Sequence, residues 1–340
     1  MIESITFENF KVLRKTTLPL QPLTLIVGPN GSGKSTAIQG LLLMALRQAA
    51  QFDELWPVGG SAIADARVSI TGQFDVADAS ATLEWSLGRD GQRINVGRTA
   101  GSTISPQRWG VFADALHKRL AQVRVYMFQS KLIARAMPLQ PNTELAEDGG
   151  NLAVVLDRIR DEAPERFDAL NAELGRWLPE FDRVLFDTPA PGQRSLKLRT
   201  RREQRAIQAR NLSDGTLVAL AILSLAYMSN PPPLVCFEEP DHGLHPRLMR
   251  DVRDAMYRLA YPEQCGESRE PVQVIATTHS PILLDLFRDH PEEVVIANKT
   301  GTEAAFQKLP DLPNFEEILA DSSLGDAWYS GVLGGVPTEP

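Results

Sequence analysis

The 340-residue chain is 43% apolar and 23% charged, which is ordinary for a globular protein and supplies enough apolar side chains for a sizeable core. Its formal net charge of −8 argues against a surface coated by nucleic acid, so any contact with a polyanion must be local. Two cysteines provide no disulfide or metal framework and favour a reducing, cytoplasmic location.

The first fifty residues predict two strands, a glycine-rich loop and a helix. The strands are Ile2 to Phe7 and Leu23 to Val27, with a proline-containing link between them, and the helix runs from Ser35 to about Phe52. Because Met1 leads directly into a strand pattern, we expect no signal peptide. The longest apolar run, Leu217 to Met228, is too short to span a bilayer, so we expect no membrane segment.

The loop after the second strand has the P-loop pattern. Its glycines would let backbone N–H groups turn around a phosphate chain, and the following helix would add its positive end. Lys34 would reach the β- and γ-phosphates and act in catalysis, and the Ser35 hydroxyl would bind Mg²⁺. The alternative is a turn that only joins a strand to a helix. The predicted nucleotide-binding residues are Gly28, Pro29, Asn30, Gly31, Ser32, Gly33, Lys34, Ser35 and Thr36.

The middle of the chain predicts two additions to this nucleotide core. Apolar residues alternate over residues 67–98, with Asp90-Gly91 as a hairpin signal, which predicts an antiparallel β meander. Residues 145–182 predict a small helical insert, with Asn151 as the N-cap of its first helix. The remaining elements predicted here are a helix over Pro106–Gln122, a helix over Pro164–Leu178, and strands over Val123–Gln129, Val184–Phe186 and Ser195–Thr200.

Two further apolar strands end in residues suited to phosphate chemistry. Leu234 to Glu239 ends in adjacent carboxylates, which fit a Walker B arrangement with Glu238 holding Mg²⁺ and Glu239 acting as general base. The next strand ends at His279, which would contact the γ-phosphate and position the attacking water. The alternatives are a solvated strand end and a structural histidine.

A polar turn opens the apolar helix at Leu217. Ser213, Asp214 and Gly215 form this turn, which taken alone predicts a serine N-cap with an acidic first turn.

Four motifs in order resemble one family. They are the P-loop, Leu212-Ser-Asp-Gly-Thr216, Phe237-Glu-Glu-Pro-Asp-His-Gly-Leu-His-Pro246 and Thr277-Thr-His-Ser-Pro281. Together with Ile5 to Lys11, they resemble the ABC-type ATPase heads of the RecF, SMC and OLD group, including the bacterial "AAA family ATPase" proteins with ABC-like heads. The resemblance implies an α/β P-loop NTPase fold, with residues 1–340 as a single ATPase domain that carries the meander, the insert and a C-terminal segment over residues 311–340.

The resemblance also implies a mechanism. Such heads hydrolyse ATP to ADP and phosphate with Mg²⁺, and they close as a homodimer around two nucleotides, from which higher oligomers can form. Ser213, Asp214 and Gly215 would act in trans on the partner's γ-phosphate, and Gln129 would contact Mg²⁺ and water. Three positions depart from the usual pattern, namely Glu238 in place of Asp, Asp214 in place of Gly, and His245 in place of the D-loop aspartate.

The biological role has two interpretations. In the first, the protein is the DNA-associated ATPase subunit of a repair or antiviral defence system and controls a separately encoded nuclease or effector. Its support is a basic strip over residues 194–210 with a local charge of +6 from seven basic residues and one acid. The strip would bind duplex DNA, or it would be a solvated face or an internal partner for acidic groups. The predicted DNA contacts are Lys197, Arg199, Arg201, Arg202 and Arg205.

In the second interpretation, the protein is a regulatory ATPase scaffold that controls an effector without binding DNA. No acidic nuclease cluster follows the fold, so nuclease activity is expected from another chain. Trp328, Tyr329 and Val332 are candidates for effector docking, with packing onto the head as the alternative. A transporter subunit is disfavoured because the meander and the SMC-like motif have no place in that architecture, and the short insert excludes a long coiled coil.

Overall fold

The computed structural model describes residues 1–57, 66–76, 79–98, 106–141 and 144–334. The chain divides into two compact units, each built from segments that are distant in sequence. The first comprises Met1–Val123, Pro233–Cys236 and Gln273–Pro340, and the second comprises Arg124–Pro232 and Phe237–Val272. None of the described helices combines the length and the apolar composition needed to cross a membrane.

The described residues of the first unit form two sheets and six α-helices. Its strands are β1 (Ile2–Phe10), β2 (Leu13–Pro19), β3 (Leu23–Val27), β4 (Arg67–Val76), β5 (Ala79–Gly88), β6 (Gly91–Arg98), the start of β12 (Leu234–Glu238), β13 (Gln273–Thr278), β14 (Val294–Thr300) and β15 (Glu303–Lys308). Its helices are α1 (Lys34–Leu46), α2 (Phe52–Leu55), α3 (Pro106–Leu120), α9 (Pro281–Asp285), α10 (Phe315–Asp321) and α11 (Leu324–Tyr329).

One sheet of this unit has the order β2-β1-β4-β5-β6 and is antiparallel throughout. Alternating residues of its strands are buried, as the period of two predicts. Helix α1 packs across the buried face, and Gly40 permits the close approach, because a Cβ there would lie 2.6 Å from the Phe7 ring. The predicted meander is therefore joined to β1 by β4.

The second sheet positions the P-loop. Its order within the first unit is β15-β14-β3-β13-β12. Strands β13 and β14 run parallel to β3 on either side, with Thr278 and Ile296 opposite Val27. All five residues of β3 are buried, which explains its continuous apolar sequence. The P-loop therefore begins between the ends of two neighbouring parallel strands.

The second unit is built around a buried helix. Its strands are β7 (Arg124–Tyr126), β8 (Met137–Pro138), β9 (Phe181–Asp187), β10 (Gln193–Thr200), β11 (Ala206–Gln208) and the end of β12. Its helices are α4 (Ser130–Ile133), α5 (Leu152–Glu162), α6 (Pro164–Trp177), α7 (Asp214–Ala226) and α8 (Pro246–Ala260). Every residue of α7 from Gly215 to Ala226 is buried, and α4, α6 and α8 pack against it.

Several sequence predictions in the first unit were wrong in extent. The link between the first two predicted strands contains β2, reached through a turn in which Asn9 and Lys11 adopt positive φ. Helix α1 ends at Leu46 instead of Phe52, because Arg47 adopts the left-handed conformation and the next residues bury no apolar face.

Two predictions in the second unit were also wrong. The strand predicted over Val123–Gln129 ends at Tyr126, because the following backbone pairs with a loop, the Met127 and Gln129 N–H groups donating to the carbonyls of residues 147 and 148. Asn151 makes no capping hydrogen bond. Its amide instead accepts from the Ala146 N–H at 2.8 Å and donates to the Glu144 carbonyl at 2.7 Å, so it fixes the preceding loop.

The C-terminal helices are anchored to α9. The Gly325 N–H donates to the Asp285 carboxylate at 2.7 Å, which ties α11 down. Trp328 is half-buried, while Tyr329 and Val332 are 85% and 59% exposed. Packing therefore accounts for part of the proposed docking face, and the two exposed side chains remain available.

Candidate functional site

The P-loop has a conformation that requires its glycines. Gly31 and Gly33 have φ values of 75° and 89°, in the left-handed region that disfavours side chains. A Cβ on Gly28 would lie 2.5 Å from both the Ala297 carbonyl oxygen and Ser32 Oγ. The loop therefore packs tightly against the end of β14. Its left-handed residues give the backbone a concave turn of the kind in which N–H groups bind an anion.

Lys34 is held across this loop. Its side chain is buried, and the ammonium donates to the carbonyls of Gly28 at 2.6 Å and Pro29 at 3.0 Å. These contacts keep the charge within the loop instead of in solvent. A phosphate seated in the loop would meet an ammonium already in place.

His279 lies beside that ammonium. Thr278, the last residue of β13, pairs with Val27 across parallel strands, so the residue after the strand lies where the loop begins. The His279 Nδ1 atom is 3.4 Å from Lys34 Nζ. The structure thus brings together two predicted catalytic residues that are separated by 245 positions in the chain.

The remaining loop residues fit a phosphate and a hard cation. Ser32 is fully buried, and its Oγ has no hydrogen-bond partner among the described residues. Ser35, at the start of α1, is exposed, and Thr36 is half-buried. A buried hydroxyl without a partner is costly unless a ligand satisfies it. Hydroxyls, an ammonium and loop N–H groups form the donor set that a nucleotide phosphate requires.

The two glutamates belong to the second unit. Glu238 ends β12 and is half-buried, whereas Glu239 is exposed and has a φ of 49°. Its carbonyl accepts a hydrogen bond from the His242 N–H at 2.9 Å, so the chain turns sharply after the strand. A non-glycine residue in this conformation is strained, and such strain is concentrated at functional positions.

The Ser213 turn contacts the loop after the glutamates. Ser213 Oγ accepts from the Thr216 N–H at 3.1 Å, so the predicted N-cap of α7 is present. Ser213 and Asp214 are exposed, whereas Gly215 is buried. A Cβ on Gly215 would lie 2.8 Å from the Gly243 carbonyl oxygen. Within the second unit, the structure therefore places the start of α7 directly against the segment that follows Glu239.

We expect Gly215→Ala to destabilise the protein by about 1–3 kcal/mol, because its methyl group would overlap a backbone oxygen that cannot move independently. Urea unfolding would measure this loss. Gly110→Ala is the matched control, since Gly110 also lies in a helix but its Cβ would meet no atom within 4 Å. That variant should be neutral or slightly stabilised. Equal stability of the two variants would contradict the tight contact.

Gln129 lies immediately before α4 in the second unit. Its side chain is exposed, and its N–H donates to the Asp148 carbonyl at 2.9 Å. Its backbone is therefore fixed while its amide remains accessible. Its predicted role toward Mg²⁺ stays a prediction.

Most of the predicted DNA contacts are already paired within the second unit. Lys197 pairs with Asp187 at 2.8 Å, and Arg199 pairs with Asp182 at 2.8 Å. Among the others, Arg205 pairs with Glu203, and Arg201 donates to the Gly175 carbonyl. These contacts favour the internal-partner interpretation of the basic strip. Arg201, Arg202 and Arg205 nevertheless lie on an exposed turn after β10.

The ion pairs also shift ionisation. The hydrogen bond from Arg199 lowers the pKa of Asp182, and the hydrogen bond from Lys197 lowers the pKa of Asp187. Because both folded-state pKa values lie below their unfolded values, these pairs stabilise the fold at neutral pH and lose that contribution as the pH falls through the lowered pKa values. Both cations are thus partly neutralised under physiological conditions.

Two features of the site were missed from the sequence. His245 caps α8, because its Nδ1 accepts a hydrogen bond from the Arg247 N–H at 3.2 Å. The only sequence signal for this cap is a polar residue directly before a proline. The end of β14 also lies against the P-loop. The abrupt change from the apolar run Val294–Ala297 to Asn298 and Lys299 resembles the ends of the other two strands and could have indicated it.

Comparison with known protein families gives two matches. Residues 110–285 match the family described as "AAA domain, putative AbiEii toxin, Type IV TA system". Residues 1–87 match the family described as "AAA ATPase domain". A curated relative, the "OLD nuclease" of Thermus scotoductus, is 24% identical over an alignment that covers 85% of this chain. That alignment spans only 60% of the relative's length.

Solved structures show the same fold. An Smc head bound to the C-winged helix domain of ScpA has a TM-score of 0.63 at 15% identity, covering 90% of this chain and 97% of that one. The SMC head domain from Thermotoga maritima has a TM-score of 0.54 at 17% identity, covering 90% of this chain and 98% of that one. The predicted fold class, an α/β ATPase head of the ABC type with a meander and a helical insert, is confirmed.

Proposed function

Because the chain belongs to the AAA-domain family matched over residues 110–285, and is an ABC-type ATPase of the RecF, SMC and OLD group, we propose that it is a nucleotide-switched head. In this proposal the protein binds and hydrolyses ATP at the P-loop and dimerises around the bound nucleotides. The observation that carries the proposal is the contact between Lys34 and His279 across the phosphate-binding loop.

The proposal gives each predicted site residue a role. Lys34 would hold the β- and γ-phosphates, and His279, beside it, would orient the attacking water at the γ-phosphate. Ser35, Glu238 and Gln129 would hold Mg²⁺, which when bound neutralises charge on the phosphates. Glu239 would accept the proton of the attacking water. Its strained, exposed position after β12 supports this role.

The exposed start of α7 supports dimerisation. Ser213 is exposed at the N-terminus of a helix of thirteen residues, where the dipole favours an anion. Ser213, Asp214 and Gly215 would contact the γ-phosphate held by a second copy. Such closure would need two nucleotides and would be released by hydrolysis.

The biological proposal is control of a nuclease or other effector in a defence or repair system. The relative named as a nuclease and the family named for a toxin–antitoxin system support it. The pairing of Lys197 and Arg199 with carboxylates favours regulation without extensive DNA contact. The exposed turn carrying Arg201, Arg202 and Arg205 supports a smaller DNA contact as the second candidate.

The molar mass of the Glu239→Gln protein, measured by light scattering with and without Mg·ATP, tests the switch. We expect the mass to double when Mg·ATP is added, because ATP would bridge two heads that the variant cannot reopen by hydrolysis. A Ser213→Arg variant should remain monomeric under the same conditions. A mass that does not respond to ATP would contradict the nucleotide-sandwiched dimer.

Duplex DNA added to the same measurement separates the two biological candidates. If DNA is bound, the dimer should shift further in mass, and replacing Arg201 and Arg202 with Ala should abolish that shift. Arg183→Ala is a suitable control, since it removes an exposed arginine on the neighbouring strand β9. A molar mass that does not change when DNA is added would favour the regulatory ATPase that controls an effector without binding DNA.

A further inference from the structure

The end of β14 lies beside the P-loop, and its residues belong to none of the motifs predicted from the sequence. Ile296 pairs with Val27 at the end of β3, so the residues after Ile296 run beside the loop. Ala297 is close enough that a Cβ on Gly28 would overlap its carbonyl oxygen at 2.5 Å. The next residues of β14 therefore face the middle of the loop.

Lys299 brings a second ammonium to that loop. Its Nζ lies 3.7 Å from the position that a Cβ on Gly31 would occupy, and no other atom outside Gly31 and its two chain neighbours lies within 4 Å of that position. Lys299 is exposed, and its side chain makes no hydrogen bond or ion pair with the residues that the structure describes. It thus differs from Lys34, whose charge is held by carbonyl groups.

The hairpin that carries Lys299 is fixed by contacts with Arg14 and with the β1–β2 turn. Arg14 lies 3.6 Å from the Glu303 carboxylate and donates to Thr302 Oγ1 at 3.1 Å. The Ala304 N–H donates to the Val12 carbonyl at 2.8 Å. These contacts fix the β14–β15 turn against the β1–β2 turn.

We propose that Lys299 is a second cationic ligand for the phosphate chain of a nucleoside di- or triphosphate. The proposal rests on the proposed function, in which the P-loop holds ATP. Backbone N–H groups of a P-loop hold the α- and β-phosphates, while its lysine reaches toward the γ-phosphate. A cation beside Gly31 therefore acts on the part of the chain that ATP and ADP share. Lys299 positions both nucleotides and takes no part in bond cleavage.

Calorimetric titration of ATP and ADP into the purified protein tests this assignment. Lys299→Gln should weaken the binding of both nucleotides by about tenfold, the typical effect of losing one charge-assisted contact. Lys299→Arg should restore most of the affinity. The loss should shrink at high salt, because an exposed charge is screened.

Lys308→Gln is the matched control. Lys308 lies on the same hairpin opposite Val295, four positions and about 13 Å along the strand from Lys299. This variant loses the same charge at the far end of the hairpin and should bind ATP and ADP like the wild type. Because Lys299 and Lys308 are near the surface, both variants should keep the thermal stability of the parent.

The possible failures are distinguishable. If the wild-type protein binds neither nucleotide, the proposed function fails. If the wild type binds ATP and Lys299→Gln binds both nucleotides equally well, only the role of Lys299 is overturned. A loss confined to ATP, or an equal loss in Lys308→Gln, would also overturn it, because the first would place the contact at the γ-phosphate and the second would reflect general electrostatic attraction.

Discussion

Glu239→Gln is expected to lower the rate of ATP hydrolysis by at least about a hundredfold while leaving ATP affinity within a factor of two, as removal of a general base does. The amide keeps the size of the side chain but cannot accept the proton of the attacking water. Because Glu239 is exposed and its backbone turn is fixed by the His242 N–H, the substitution should not disturb the fold. Phosphate release and nucleotide titration would measure the two quantities.

Glu165→Gln provides the control for that experiment. Glu165 is an exposed carboxylate in the first turn of α6, in the same unit as Glu239. Its substitution removes one charge without touching the proposed site, so hydrolysis should proceed at the wild-type rate. Normal hydrolysis by Glu239→Gln would remove Glu239 from the role of base and leave the neighbouring Glu238 to be tested.

Lys34→Met is expected to abolish both binding and hydrolysis of ATP at concentrations that saturate the wild type. The substitution removes the ammonium that spans the loop between the carbonyls of Gly28 and Pro29 and that lies beside His279. Without it, the loop presents two carbonyl oxygens to the phosphate chain, and these repel an anion. Equilibrium binding of a fluorescent ATP analogue would measure the loss.

Thermal unfolding must accompany the Lys34→Met measurement. The lysine side chain is buried at 6% exposure, and methionine matches the length of its aliphatic stem without introducing a new charge. We therefore expect the melting temperature to stay within a few degrees of the wild type. A change of about 1 kcal/mol in the free energy of unfolding produces a shift of that size. Retained ATP binding in a folded Lys34→Met protein would contradict the assignment of the loop.

The sequence predicted those parts of the site that depend on backbone geometry. The P-loop glycines, the apolar strand before them and the serine cap at Ser213 all have local causes, and the structure contains each of these elements. The neighbourhood of Lys34 and His279 could be anticipated only because parallel strands end at one edge of a sheet. The pattern of one strand alone does not give that proximity.

The missed features depend on contacts between distant segments. Asn151 has a capping residue's identity, but a preceding loop supplies better partners for its amide. The basic strip has the charge of a DNA-binding surface, yet Asp182 and Asp187 on the neighbouring strand β9 pair with its strand residues. Lys299 resembles any surface lysine until the register of β14 against β3 is known. Contacts between segments, which the pattern of a single segment does not specify, determine the environment of Asn151, of the basic strip and of Lys299.

The contact between Gly215 and Gly243 has a consequence for the timing of turnover. A rigid backbone contact transmits displacement, so when the segment after Glu239 moves, the start of α7 must move with it. In the proposed dimer, Ser213 of each head contacts the nucleotide bound by its partner. Cleavage of ATP in one head would therefore weaken the contact between that head's Ser213 and the partner's nucleotide. Hydrolysis at one site of the proposed dimer would then weaken the closure at the other site as well.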